Sequence, residues 1–153
     1  MQMHTKLSTL ILCCIAMLLI SVDAFARDYT VAGETNDAGI LVDRDQLKSM
    51  KQMYPIVVIK WIKHWKSPRD YGLKDKVLSE GFDSWADCRQ RDALLTTAHR
   101  FHAPDLSQLK NIEFTDFSDK DNFLKGARRD EAPVGSAAAI ALDYACSWAE
   151  ANR

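Results

Sequence analysis

Long apolar runs are scarce in this sequence. There is one, from Leu7 to Ile20, and it is shorter than the roughly 20 residues a membrane-spanning helix needs. Beyond it no spanning helix is expected. Charge of one sign is also lacking. Twenty Lys and Arg stand against 21 Asp and Glu, a formal net charge of −1. A chain this close to neutral has no general pull toward nucleic acid or an anionic membrane. Cysteine is sparse, with four in 153 residues, and no C-x-x-C spacing occurs. Structural zinc motifs are thereby excluded. Nucleophile signatures are missing too. There is no G-x-S-x-G, and Gly135-Ser136 is better used to open a helix. No carboxylate pair stands apart from ordinary surface charge. No motif asks for a cofactor. Internal repeats and low-complexity linkers are absent.

The apolar run has a different use. Lys6 gives it a basic start, and Ala24-Phe25-Ala26 gives it a small-x-small end. Basic start, apolar core and small-residue site together predict a cleavable export signal over residues 1–26, cut before Arg27. Cys13 and Cys14 lie in mid-run, and Leu12 precedes the first. Lipid attachment wants a small residue there, so both cysteines read as apolar residues discarded with the signal. What remains, 27–153, suits one domain with a real core. It is expected to work in the periplasm or as a secreted protein, with the cell surface open to it. Cys88 and Cys146 remain as an even pair in an oxidising compartment, and a disulfide is predicted. Closing so long a loop is worth roughly 4 kcal/mol in the chain-entropy model.

The mature chain reads first as strands. Asp28 to Ala32 and Ile40 to Val42 are short candidates, with a turn at Asp37-Ala38-Gly39. A polar bend follows from Asp43 to Lys48. Pro55 to Trp65 is the strongest strand, rich in β-branched residues and tryptophan. Ser67 to Gly72 reads as a loop. Lys74 to Asp87 reads as a strand in which Gly81 marks a bulge. Ala93 to Phe101 is a strand with helix as the competing reading. Leu109 to Phe117 alternates apolar and polar. Asp119 to Asp130 carries no period and is expected to be an exposed loop. Ser136 then caps a helix from Ala137, whose Leu142, Ala145, Cys146 and Ala149 share an inward face. The predicted class is α+β: a mainly antiparallel sheet of five or six strands with a packed C-terminal helix.

Several constellations hint at function. Lys60-Trp61-Ile62-Lys63-His64-Trp65-Lys66, with Arg69 nearby, interleaves cations with aromatic rings. Such a run suits an acidic protein, a glycan or a haem-like ligand, because the cations supply charge and tryptophan stacks. It equally suits a strand whose outward lysines discourage edge-to-edge pairing. On a period of two, Trp61, Lys63 and Trp65 share one face, so the strand is expected to twist out of the core near Lys63. His99 and His102 point to opposite faces if they lie on a strand, and no third ligand is evident. Asp116, Asp119 and Asp121 lack the glycine of an EF-hand loop, and Phe123 takes a ligand position. No metal is expected.

In order along the chain, Val42-Asp43 with the short Asp45-Gln46-Leu47 turn, the Trp- and Lys-bearing strand Val57 to Trp65, Asp87-Cys88-Arg89, and Pro133-x-Gly135-Ser136 leading a helix with Cys146 form a recognisable pattern. Over most of residues 29–148 the chain resembles the surface-adhesin protein E-like family of small exported bacterial proteins. The resemblance implies an antiparallel sheet with a packed helix, a Cys88–Cys146 disulfide and no enzymatic activity, and the family name implies binding of host proteins; the expected partner is a protein or other envelope or host ligand. A second expectation from another class is a soluble periplasmic inhibitor or immunity-type protein that blocks an enzyme.

Overall fold

The computed structural model describes residues 28–49, 55–115 and 124–152. The expected export signal, and the loop positions Asp116, Asp119 and Asp121, lie outside the described residues.

Eight strands are found among the described residues. They are β1 (Tyr29–Glu34), β2 (Ala38–Asp43), β3 (Lys48–Ser49), β4 (Ile56–Arg69), β5 (Val77–Asp87), β6 (Ala93–His102), β7 (Gln108–Glu113) and β8 (Arg128–Glu131). A 3-10 turn, Arg44–Gln46, joins β2 to β3, and a helix, α1 (Ala137–Ala151), follows β8. The sheet runs β1-β2-β4-β5-β6-β7, with β3 beside β4 and β8 beside β6. The register of every neighbouring pair is antiparallel. The fold class is therefore α+β with an antiparallel sheet and a C-terminal helix. The sheet is larger than the expected five or six strands, because two short strands, β3 and β8, pair with the stretches of β4 and β6 that β2 and β7 leave free.

β4 and β5 form the spine. Val57, Ile59 and Trp61 alternate inward on β4, and Phe82 and Ala86 do so on β5. These meet Ile40 and Val42 of β2, Leu94 of β6, and the inner face of α1 in one core. Alternation of side chains along a strand sends this apolar set to one face and leaves the other uncovered by the helix. α1 presents Ala138, Ala141, Leu142, Ala145, Cys146 and Ala149 to the sheet. Its start is fixed by Ser136, whose Oγ accepts from the Ala139 backbone N–H at 3.1 Å. A disulfide joins Cys146 to Cys88 at the end of β5, over a sequence separation of 58. A second, smaller core gathers Ala38, Trp65, Val77 and Phe101 near the far ends of the same strands.

Four expectations are corrected. Gly81 is paired regularly, between Ile62 and Arg100; the register shift falls at Asp83/Ser84 instead. β4 continues through Ser67–Arg69, where a loop was expected. β2 already includes Ala38 and Gly39, so the turn before it sits earlier. Part of the polar segment before Ala132 is strand β8, held by pairing with β6 rather than by any apolar period.

Candidate functional site

The basic-aromatic run lies on β4, and the strand's alternation divides it. Trp61 points into the core, 3% exposed, and stacks on Phe82 with ring centroids 4.1 Å apart. Trp65 also turns inward. Lys63 and Arg69 lie on its indole ring, at 3.7 and 4.7 Å from the centroid. Lys60 points to the opposite face, 4.0 Å from Asp83. Lys66 sits at the rim, 3.5 Å from Glu34, and Arg69 reaches Asp37 at 2.9 Å. The run is thus one cation-covered tryptophan at the strand tip plus a separate lysine behind it.

The tip has a local cause. After His64 the β4–β5 register breaks: Arg69 next pairs with Val77, so β4 spends five residue steps where β5 spends two. The surplus residues arch outward and carry Lys66, Ser67 and Pro68 into solvent. The β1–β2 turn meets them. Lys66 N–H donates to the Asp37 carbonyl at 2.9 Å, and the Thr35 hydroxyl donates to Asp37 Oδ1 at 2.9 Å. The Thr35 hydrogen bond, helped by the charges of Lys63 and Arg69, holds the Asp37 carboxyl below its ordinary range.

Beneath the tip runs a buried polar network. Glu80 is 5% exposed and lies on the same face of β5 as Phe82. Its Oε1 accepts from Trp65 Nε1–H at 2.9 Å and from the Tyr71 hydroxyl at 2.6 Å. Its Oε2 is 2.8 Å from His99 Nε2, and Arg128 Nη1 is 3.2 Å from His99 Nδ1. An arginine only donates, so Nδ1 accepts and Nε2–H donates to Glu80. Arg128 also grips Asp130, which accepts from the Thr96 hydroxyl at 2.6 Å. Ser84 bridges Thr96 to the indole N–H of Trp61. Burial opposes the Glu80 charge, but the bonds from His99, Tyr71 and Trp65 outweigh it and hold the carboxyl below its ordinary range. Burial, then Glu80 itself, pushes the Tyr71 phenol up.

The network was missed in sequence for a definite reason. Glu80 shares its parity with Phe82 and Ala86, which marks a carboxylate on a core-facing position. Its partners come from β4, from a loop and from β6, with Arg128 of β8 behind His99, and no short spacing connects them. His99 and His102 do fall on opposite faces, as a strand requires: His99 is in the network, and His102 is half-buried behind it. Among the described residues no group of three His, Cys, Asp or Glu side chains is placed to hold a metal ion.

The uncovered face carries a second feature. Asp83 is held by Arg100 through two hydrogen bonds of 2.9 and 2.7 Å, with Lys60 on its other side. Next to this trio is a hollow of about 640 Å³, walled by Ile62, Tyr29, His102 and Leu106.

Comparison with protein-family models, with curated proteins and with solved structures finds no match for this chain.

Proposed function

We propose that this chain is an exported binding protein of the cell envelope, adhesin-like and without catalytic chemistry, and a relative of the surface-adhesin protein E-like proteins. One observation carries the reading: the tip of β4 is a preorganised cationic surface. Trp65 is anchored from below by Glu80 and covered from above by Lys63 and Arg69. Cations held in place lose less freedom on meeting a partner, so more of their interaction appears as affinity. The titratable groups nearest the tip are spent on structure. Glu80 accepts three hydrogen bonds and both nitrogens of His99 are engaged. A disulfide between Cys88 and Cys146 is compatible with an oxidising compartment.

The partner that fits is an acidic protein surface able to displace Glu34 and Asp37 from Lys66 and Arg69. The test uses purified protein as bait for envelope and host-cell extracts, beside a Lys63→Glu, Lys66→Glu, Arg69→Glu variant shown to be folded by circular dichroism. Partners of the wild type should be lost from the variant and should elute as salt rises, because exposed charges are screened over about 8 Å at physiological ionic strength. Equal capture by both proteins would remove the tip from consideration.

A further inference from the structure

Gly81 is out of place in a folding argument. It sits in the interior of β5, in the middle of the sheet, paired on both sides. Glycine there weakens a strand, through lost packing and extra chain entropy. No close approach demands it. A Cβ at this position would meet only His102 Cε1 at 3.8 Å and Arg100 Cβ at 3.9 Å, ordinary contact distances. What the missing side chain does is leave the floor of the hollow open.

The walls of that hollow are chemically uneven. Ile62 and Tyr29 line it from the β4 and β1 side of Gly81, and Leu106 from the β6–β7 side. Leu106 is 54% exposed and has φ +68°, a left-handed conformation that an L side chain adopts only against strain. The β6–β7 turn holds it there, through Leu106 N–H to the Ala103 carbonyl at 2.9 Å. The polar end has two cations and one carboxylate. Asp83 is spent on Arg100, while the Lys60 ammonium stands 4.0 Å off, beyond hydrogen-bond reach. Glu113 acts on Arg100 from outside the lining and accepts from Asn111. Burial, then Arg100, lowers the pKa of His102 below its ordinary value. The lining therefore has one positive charge in surplus beside apolar walls.

We propose that this hollow binds a small amphipathic anion, with a carboxylate or phosphate at Lys60 and Arg100 and a short apolar body over Gly81 between Ile62 and Leu106. A volume of about 640 Å³ is the size of a small-ligand site. The site is on the face away from the Trp65 tip, so it does not rest on the reading above.

The experiment is a calorimetric and NMR titration of the purified protein with octanoate, octyl phosphate, octanol and acetate. Octanoate and octyl phosphate should bind saturably and shift the amides of β5 and β6. Octanol and acetate, each with half of the chemistry, should bind at least roughly tenfold more weakly. Gly81→Val fills the floor with a good strand former and leaves the charges alone. It should abolish binding at an unchanged or raised melting temperature. Lys60→Gln should weaken octanoate by roughly tenfold and leave octanol unaffected. Flotation with phosphatidylglycerol vesicles separates the sources. Capture lost in Gly81→Val assigns the anion to a lipid, and octyl phosphate binding without capture assigns it to a free ligand. Undiminished binding by folded Gly81→Val, octanol binding as tightly as octanoate, or no binding of either anion would overturn the proposal.

Discussion

A carboxylate at 5% exposure, as at Glu80, has lost most of its hydration. Removing an ionised group from water costs several kcal/mol unless partners replace that water. Glu80 has three: the Trp65 indole, the Tyr71 hydroxyl and the His99 imidazole. Trp65 and His99, both buried, depend on Glu80 in return, since a buried donor without an acceptor costs about 1–3 kcal/mol, whereas Tyr71, 43% exposed, can turn its hydroxyl to water. Glu80→Leu strands the two buried donors at once. It should lower the unfolding free energy by about 2–6 kcal/mol, from two buried donors at about 1–3 kcal/mol each. Glu80→Gln keeps the shape and one acceptor oxygen, and should cost clearly less. Urea unfolding followed by tryptophan fluorescence measures both, with Trp65 itself as a reporter. A Glu80→Leu protein as stable as wild type would mean that water or repacking replaces the whole set.

α1 is an alanine-rich helix, and its inward residues are small enough to lie close on the sheet. Ile140 shows how close: a Cβ added to Gly33 would sit 2.9 Å from its Cγ2. Small contacts bury little area each, so the helix leans on its tether. The Cys146 bond to Cys88 closes a loop of 58 residues in sequence, worth roughly 4 kcal/mol in the chain-entropy model. A Cys88→Ser, Cys146→Ser protein should lose about that much stability, and α1 should gain most in amide hydrogen exchange. Loss of under about 1 kcal/mol would show that packing alone holds the helix, against the usual 2–5 kcal/mol. The elements divide by how much of their cause is local. β4 was legible because Ile56 to Ile59 are β-branched, and α1 because Ser136 and an apolar face at helical spacing declare it. β8 was not. Arg128-Arg129-Asp130-Glu131 has no apolar period, and its strand form comes from pairing with Ala93 to Thr96 and from ion pairs to Asp92 and within the strand. The basic-aromatic run was visible as composition. Its division between two faces was visible only as parity, and its partners Glu34, Asp37 and Asp83 come from elsewhere in the chain.

On the acid side of neutrality the perturbed groups push stability the same way with pH; Tyr71, pushed up, has the opposite sign but acts only in alkali. Glu80, Asp37, Asp87 and Asp105 all have carboxyls held below their ordinary range. A group whose pKa is lower in the folded state binds fewer protons there than in the unfolded chain. Its stabilisation is complete above the unfolded value, about 3.9 for Asp and 4.3 for Glu, and is lost as pH falls through the folded one. His102 obeys the same sign at higher pH. Burial, then Arg100, lowers its pKa, so folding is favoured above about 6.5 and penalised as the pH drops below that. The expected profile is flat near neutrality, with a shallow decline beginning near pH 6.5 and a steeper one below about pH 4. Asp37 and Asp105 are solvent-exposed and screened, and Asp87 is partly exposed beside the exposed Arg89, so the acid limb belongs mainly to Glu80. The check is the urea midpoint from pH 7 to pH 3 for wild type, His102→Gln and Glu80→Gln. His102→Gln should lose the shallow decline and keep the steep one. Glu80→Gln should start lower and fall less below pH 4, so the curves converge in acid. Parallel curves for wild type and Glu80→Gln would mean that the acid sensitivity arises from the exposed carboxylates, and that the buried network is indifferent to protonation.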